Sequence, residues 1–431
     1  MGIRYYGAQI LSLKDNKVRA GEVWTEEGQI TYVGLPKDKA GARFDREIDL
    51  KGKLIMPSFK NAHTHSAMTF LRSYADDLPL NDWLFQQVFP MEAKLTGEDI
   101  YWLCKLAYME YLTSGITACF DMYFEPDFVA KAAAEMGFRT IMCGSVSGSD
   151  DPAEVESALS RLDNFYNKFN NFDDDKIVSY RLGFHAEYTT GINILKGISE
   201  MAQKYKQPVY THNSETASEV QGCLERHGKT PTELFDSLGL YNYGGGGFHC
   251  VHMSDHDLEI FKKRGLWAVT NPASNCKLAS GIAPLKVMGE MGINLAIGTD
   301  GAASNNALDM FREMYLATVL QKVAYSDASA MPADVVLNMA CKGSAEAMGL
   351  KNCDTIEAGK KADFIVLDIS QPNMQPINNM VKNIVYSGSK SNVYMTVING
   401  KVLYENGEFL TCNANEVYSK ANAIIKRMAK E

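Results

Sequence analysis

Between Leu54 and Asp300 the chain alternates eight short β-rich segments with helical stretches, and this alternation constrains its fold more than any other feature. The β-rich segments are Leu54–His65, Ile116–Tyr123, Arg139–Ser145, Val178–His185, Gln207–Asn213, Gly247–Val251, Leu266–Asn271 and Ile293–Asp300. Helical periodicity fills gaps between them over Phe128–Met136, Pro152–Lys168, Ser218–His227 and Asp255–Lys263. Strands that alternate with helices pair in parallel, and eight such units spread over about 250 residues close into a (β/α)8 barrel. The expected class is α/β, with the barrel over residues 56–355 and an insertion between Ser66 and Gly115.

Both chain ends have a different texture. Tyr5–Leu13, Lys17–Glu22 and Gln29–Gly34 read as short strands, as do Asp363–Leu367, Tyr394–Ile398 and Lys401–Tyr404. Asn399-Gly400 separates the last two and is a hairpin signal. Residues 1–55 and 356–431 are therefore expected to build one small β-sandwich domain together. Val417, Ala421, Ile424, Ile425 and Met428 form a helical stripe over Glu416–Lys430.

Composition removes several classes. A net charge of -9 argues against a nucleic-acid surface, which needs a basic face. No apolar run approaches the roughly 18 residues of a membrane span. The start of the chain lacks the apolar core of a signal peptide, so the expected location is cytoplasmic, with no membrane partner. Nine cysteines, an odd number without a Cys-x-x-Cys pair, indicate neither a disulfide framework nor a thiolate zinc site.

The histidines carry the chemistry. There are eight, and five of them (His63, His65, His185, His212 and His249) fall at the C-terminal ends of candidate strands, the rim where such barrels build their active sites. His63 and His65 lie two apart and point to one face of a strand. With His212 and Asp300 they offer three nitrogens and one oxygen, a donor set suited to zinc or ferrous iron with one position left open. Glu215, three residues after His212, is placed to shuttle protons beside such an ion; the competing reading is a helix-capping glutamate with Ser214. His249 is placed to hydrogen-bond a developing oxyanion. His227, His252 and His256 read as histidines outside the strands.

The segments Pro57–His65, His212-Asn213-Ser214-Glu215, His249-Cys250, Asn271–Asn275, Gly298–Gly301 and Ala358–Asp363 together resemble the amidohydrolase superfamily, in its branch of adenosine, 5′-methylthioadenosine and S-adenosylhomocysteine deaminases. The resemblance implies that His63, His65, His212 and Asp300 hold one divalent metal, most often zinc. It implies that Glu215 protonates the ring nitrogen, Asp300 takes a proton from the attacking water and His249 orients it. It also implies that Trp83 covers the base or sugar, Glu92 binds the ribose hydroxyls and His185 touches substrate. Strand 4 offers no lysine for a second, bridged metal.

Three departures from the family pattern stand out. Ser58 and Lys60 replace small residues before the His-x-His motif, and Glu187 stands where proline is common, adding a carboxylate expected near the pocket wall. The segment Gly144–Ser160 lacks the arginines that bind an amino-acid tail and carries Asp150, Asp151, Glu154 and Glu156, which are expected to repel a carboxylate. Adenosine, 5′-deoxyadenosine and 5′-methylthioadenosine therefore rank above S-adenosylhomocysteine. The alternatives are a guanine-type, pterin-type or other amino-heterocycle deaminase, a triazine-type chlorohydrolase, and a catalytically silent barrel serving as a binding or assembly protein. The expected partner is a small aminopurine nucleoside or related amino-heterocycle, with the chain a homo-oligomer.

Overall fold

A computed structural model describes residues 2–37, 42–78, 82–170 and 176–429. Eight parallel strands form the barrel in chain order: Phe59–Thr64, Ile116–Met122, Arg139–Cys143, Val178–Gly183, Val209–Asn213, Gly245–His249, Trp267–Thr270 and Asn294–Ile297. The barrel is closed just past the ends of its outer strands. There Asp300 N donates to the His63 carbonyl at 3.0 Å, and Asn61 pairs through both side-chain atoms with Thr299, at 2.8 and 2.6 Å. Gly298 permits this approach: a Cβ there would lie 2.6 Å from the His63 carbonyl oxygen. The chemistry-bearing strands are thus pressed together by backbone contact.

The two chain ends share one mixed sheet of nine strands, in the order Glu408–Phe409, Lys401–Glu405, Val393–Ile398, Phe364–Asp368, Lys53–Pro57, Gly2–Ser12, Lys17–Glu26, Gln29–Gly34, with Arg46–Asp49 also pairing Gly2–Ser12. Its first strand changes partner at Gly7 (φ +73°): residues 3–6 pair with Arg46–Asp49, and residues 9–10 pair with the strand Lys53–Pro57. Tyr5, Ile55, Phe364, Met395 and Val397 bury one face in a core of its own. Asn399 and Gly400, at φ +49° and +72°, make the hairpin their sequence signals.

Leu54–His65, read as one strand, is two. Lys53–Pro57 belongs to the small sheet and Phe59–Thr64 to the barrel, and the run is buried on both faces, so hydropathy gives no sign of the break at Ser58. Ser58 Oγ hydrogen-bonds Thr117 Oγ1 (2.7 Å) and the Asp363 carbonyl (3.1 Å), and Lys60 Nζ donates to Ser58 Oγ (2.6 Å). A wholly buried pair, Arg139 with Asp363, adds two charge-assisted bonds at 2.8 and 3.1 Å across the same junction. The closing helix runs Ala414–Met428. Lys430, its expected end, lies outside the described residues.

Candidate active site

Four side chains converge at the C-terminal rim. His63 and His65 leave the first barrel strand, His212 the fifth, and Asp300 follows the eighth. The imidazole Nε2 atoms of His63 and His65 lie 3.6 and 3.3 Å from Asp300 Oδ1, and the rings of His63 and His212 are 4.9 Å apart. His63, His65 and His212 present ligand atoms within 4.8 Å of one another, and so do His63, His249 and Asp300.

Hydrogen bonds fix which nitrogen faces inward. His65 Nδ1 lies 2.6 Å from the Met122 carbonyl and His212 Nδ1 2.6 Å from the His185 carbonyl. A carbonyl only accepts, so each Nδ1 carries a hydrogen and each Nε2 is the nitrogen turned to the centre. His63 is wholly buried and neither ring nitrogen has a hydrogen-bond partner; a cation in reach of Nε2 would satisfy that nitrogen and leave Nδ1 as it is. Burial holds the His63 and His212 imidazoles well below their usual pKa. Burial opposes the charge of Asp300 too, yet the neighbouring His65 holds that carboxyl far below its usual range, so it is an anion. Burial opposes a charge on His65 as well, but its bond to Asp300 pushes it up to about 9, so a divalent metal held here by the neutral His63 and His212 and the Asp300 carboxylate would displace the His65 proton.

The same rim carries backbone strain. Ser214, His249, Cys250 and Asp300 have φ of +52°, +70°, +50° and +58°, a left-handed region costly for residues other than glycine. Asp300 is over-determined by three donors: Gly301 N (2.8 Å), Ser274 Oγ (2.6 Å) and Ser304 Oγ (2.7 Å).

Glu215 sits beside this cluster and is not the helix cap. The helix Ala217–His227 is capped by Thr216, whose hydroxyl accepts from Glu219 N, while the Glu219 carboxylate accepts from Ser214 N (3.0 Å) and Glu215 N (2.7 Å). That frees the Glu215 carboxyl to face the cavity, 3.7 Å from His249 Nε2 and 3.2 Å from Ser280 Oγ. Burial, with Asp300 nearby, raises its pKa. His249 Nδ1 is anchored on Asn275 Oδ1 at 2.7 Å, turning Nε2 to the cavity.

The cavity above holds about 510 Å³. Trp83, Glu92, His185, Glu215, His249 and Asp300 all line it, as do His65 and His212, while His63 is enclosed beneath it beside its fellow ligands. Trp83 lies on the turn Trp83–Val88, which with Phe89–Glu92 forms part of the insertion after the first barrel strand. Phe85, Phe89, Phe124 and Tyr188 add an aromatic wall, and Tyr123, which sequence reasoning missed, donates to Glu92 Oε1 at 2.7 Å. Burial pushes the Glu92 carboxyl up to about 7 and His185 down to about 3. Thr189 Oγ1 pairs with His185 Nδ1 at 2.9 Å.

Two expectations about charge at the pocket wall are corrected. Glu187 turns away from the cavity and is gripped by Arg226 and by His227 Nε2 (3.1 Å), because a buried carboxylate needs its charge matched. Of the acidic residues after the third barrel strand, Asp151 caps the helix Pro152–Phe169, Asp150 accepts from Asn193 N (2.7 Å) and Glu154 from Ser149 N (2.7 Å). The wall there is Ser145, Ser147 and Gly148. Among the described lining residues there is no lysine or arginine, and Arg161 is exposed outside the cavity. His252 lies past its strand, with Nε2 2.7 Å from the Ser280 carbonyl.

A parallel eight-stranded barrel whose rim gathers three histidines and an aspartate around one point defines a class, the barrel hydrolases that work with a divalent metal. The chain belongs to the amidohydrolase family, which its residues 54–403 match. It is 39% identical over 422 residues to the 5-methylthioadenosine/S-adenosylhomocysteine deaminase of Caldanaerobacter subterraneus, covering 97% of this chain and 96% of that protein. The protein of that name in Acetivibrio thermocellus is 37% identical across the whole of both chains. An adenosine deaminase from Xanthomonas campestris with bound zinc superposes with a TM-score of 0.92 at 30% identity, covering 100% of this chain and 99% of that one. The chain is a hydrolytic enzyme acting on C–N bonds, with a site for a divalent metal.

Proposed function

We propose that this enzyme deaminates adenosine-like nucleosides whose 5′ position carries no charge, with adenosine, 5′-deoxyadenosine and 5′-methylthioadenosine as its substrate class. Zinc is the proposed metal, held by His63, His65, His212 and Asp300. The observation that carries the reading is Glu215: a buried carboxyl, made more basic by its surroundings, beside His249 and the metal-type cluster at the base of an aromatic cavity.

When bound, a divalent ion acts as a Lewis acid and brings a water's ionisation into the neutral range. Glu215 hydrogen-bonds the ring nitrogen next to the amino-bearing carbon and transfers its proton there as the water oxygen adds to that carbon. Asp300, anchored by Ser274 and Ser304, takes the water's proton. His249 accepts a hydrogen bond at Nε2 while Asn275 holds Nδ1, which orients the attacking water. Asp300 then passes its proton to the amino group, the C–N bond breaks as the proton of the added hydroxyl returns to Glu215, and ammonia leaves with the inosine-type lactam behind. Trp83 packs on the nucleoside, Glu92 accepts from the ribose hydroxyls with Tyr123 fixing its other contact, and His185 touches the sugar or base.

The absence of a lysine or arginine among the described lining residues supports the uncharged 5′ group: a homocysteine carboxylate would enter the cavity without a partner. Ammonia release by zinc-loaded protein, measured on adenosine, 5′-deoxyadenosine, 5′-methylthioadenosine, S-adenosylhomocysteine, guanine and a pterin, tests this. The expected result is a kcat/KM for 5′-methylthioadenosine at least about tenfold above that for S-adenosylhomocysteine, about 1.4 kcal/mol of discrimination. Preference for S-adenosylhomocysteine, or for a free base, refutes it. We further propose a cytoplasmic homo-oligomer.

A further inference from the structure

Glu313 lies on the helix Met310–Ala324, is completely buried, and touches none of the residues assigned to the reaction. Its two carboxylate oxygens are each spent on a different segment of the active-site rim. Oε2 accepts from Ala273 N at 2.9 Å, and Oε1 accepts from Asn305 Nδ2 at 2.7 Å.

The first contact replaces a missing cap. Helix Pro272–Lys277 starts at Asn271, whose side chain makes no capping bond, and Pro272 has no N–H, so Ala273 supplies the first exposed donor of that turn. Glu313 satisfies it from another helix. The residues this turn carries are Ser274, which donates to Asp300 Oδ2, and Asn275, which anchors His249 Nδ1. The second contact holds the turn after the eighth barrel strand: the Asn305 amide donates to Glu313 and also to the Thr299 carbonyl (2.6 Å), and Ser304 beside it is the other donor to Asp300 Oδ2.

Both hydroxyls on Asp300 and the amide oxygen on His249 therefore hang from one buried carboxylate. We propose that Glu313 is a positioning residue for the reaction, setting the orientation of Asp300 and His249 through Ser274, Asn275 and Ser304. This rests on the assignment of Asp300 and His249 to the reaction centre. The strained backbone of both residues, at φ +58° and +70°, explains why such a brace is needed: left to itself the chain favours other conformations there.

The test uses the purified enzyme and Glu313→Gln, whose single oxygen can serve only one of the two donors. Zinc affinity, read by competition with a chelator, is expected to weaken 10- to 100-fold, the usual cost of losing a residue that orients a metal ligand. Turnover should fall about tenfold or more with KM for 5′-methylthioadenosine within twofold of wild type. A purely structural role would lower the melting temperature and leave these readouts alone, and that result overturns the proposal. Combined with Ser274→Ala, the losses should be no greater than those of the worse single variant, because both act through Asp300; losses that multiply also overturn it. If Glu313→Gln does not fold, Asn305→Ala severs one arm of the brace and must still weaken zinc binding, and an unchanged zinc affinity there overturns the proposal. A wild-type protein that binds no zinc removes the assignment of the site itself, and the inference with it.

Discussion

Replacing Glu215 by glutamine isolates the proton transfer from everything else the site does. Glutamine is nearly isosteric, so it keeps the acceptor that meets Ser280 Oγ at 3.2 Å, and the backbone amides of Ser214 and Glu215 stay on Glu219. Only the transferable proton is lost. Glu215 is not one of the four proposed ligands, and its nearest basic neighbour is His249 at 3.7 Å, so metal content should stay at the wild-type level. Positioned acid catalysis contributes about 10²- to 10⁴-fold, so kcat for 5′-methylthioadenosine should fall by that factor, about 2.7 to 5.5 kcal/mol of transition-state stabilisation. Ammonia release gives the rate and elemental analysis the metal. A variant that keeps its metal and turns over within tenfold of wild type would refute the role of Glu215, and one that loses its metal would refute the separation of ligands from proton donor.

Because burial sets the Glu92 carboxyl at about 7 against an ordinary value near 4.5, it is protonated as pH falls through 7 and then loses its capacity to accept from two ribose hydroxyls. KM should rise roughly tenfold between pH 8 and pH 6, as the ionised fraction falls, and Glu92→Gln should flatten that profile. The same raised pKa makes the folded protein the stronger proton binder, so the Glu92 contribution to stability declines as pH rises from about 4.5 through 7, a trend that unfolding titrations would detect as a difference between wild type and Glu92→Gln. Asp363→Ala leaves the Arg139 guanidinium buried without its carboxylate and should destabilise the protein by about 3–5 kcal/mol in denaturant unfolding, with little change in the metal content of the folded fraction.

Much of this was legible in the sequence because barrel geometry sends chemistry to one rim. Histidines at strand ends, together with an aspartate at the end of the last strand, identify the metal cluster without any contact being known. The nine-stranded sheet was legible only in part: Arg46–Asp49 is too short to show alternation, and Ser58 interrupts a run buried on both sides. The acidic segment misled because charge counted along a chain does not say where carboxylates point; Asp150, Asp151 and Glu154 cap backbone amides instead of facing the cavity. Glu187 misled in the same way, since Arg226 lies 39 residues further on. Tyr123 and Glu313 gave no signal at all. Their roles are defined by partners on other elements, Glu92 in one case and Ala273 and Asn305 in the other.

We propose that His63, His65, His212 and Asp300 hold one divalent ion on which turnover depends. Elemental analysis of the purified enzyme tests this, paired with ammonia release before chelation, after chelation and after zinc is restored. The expected result is about one equivalent of metal per chain, loss of turnover with the ion and recovery on its return. Undiminished turnover in protein stripped to well below a tenth of an equivalent would contradict it.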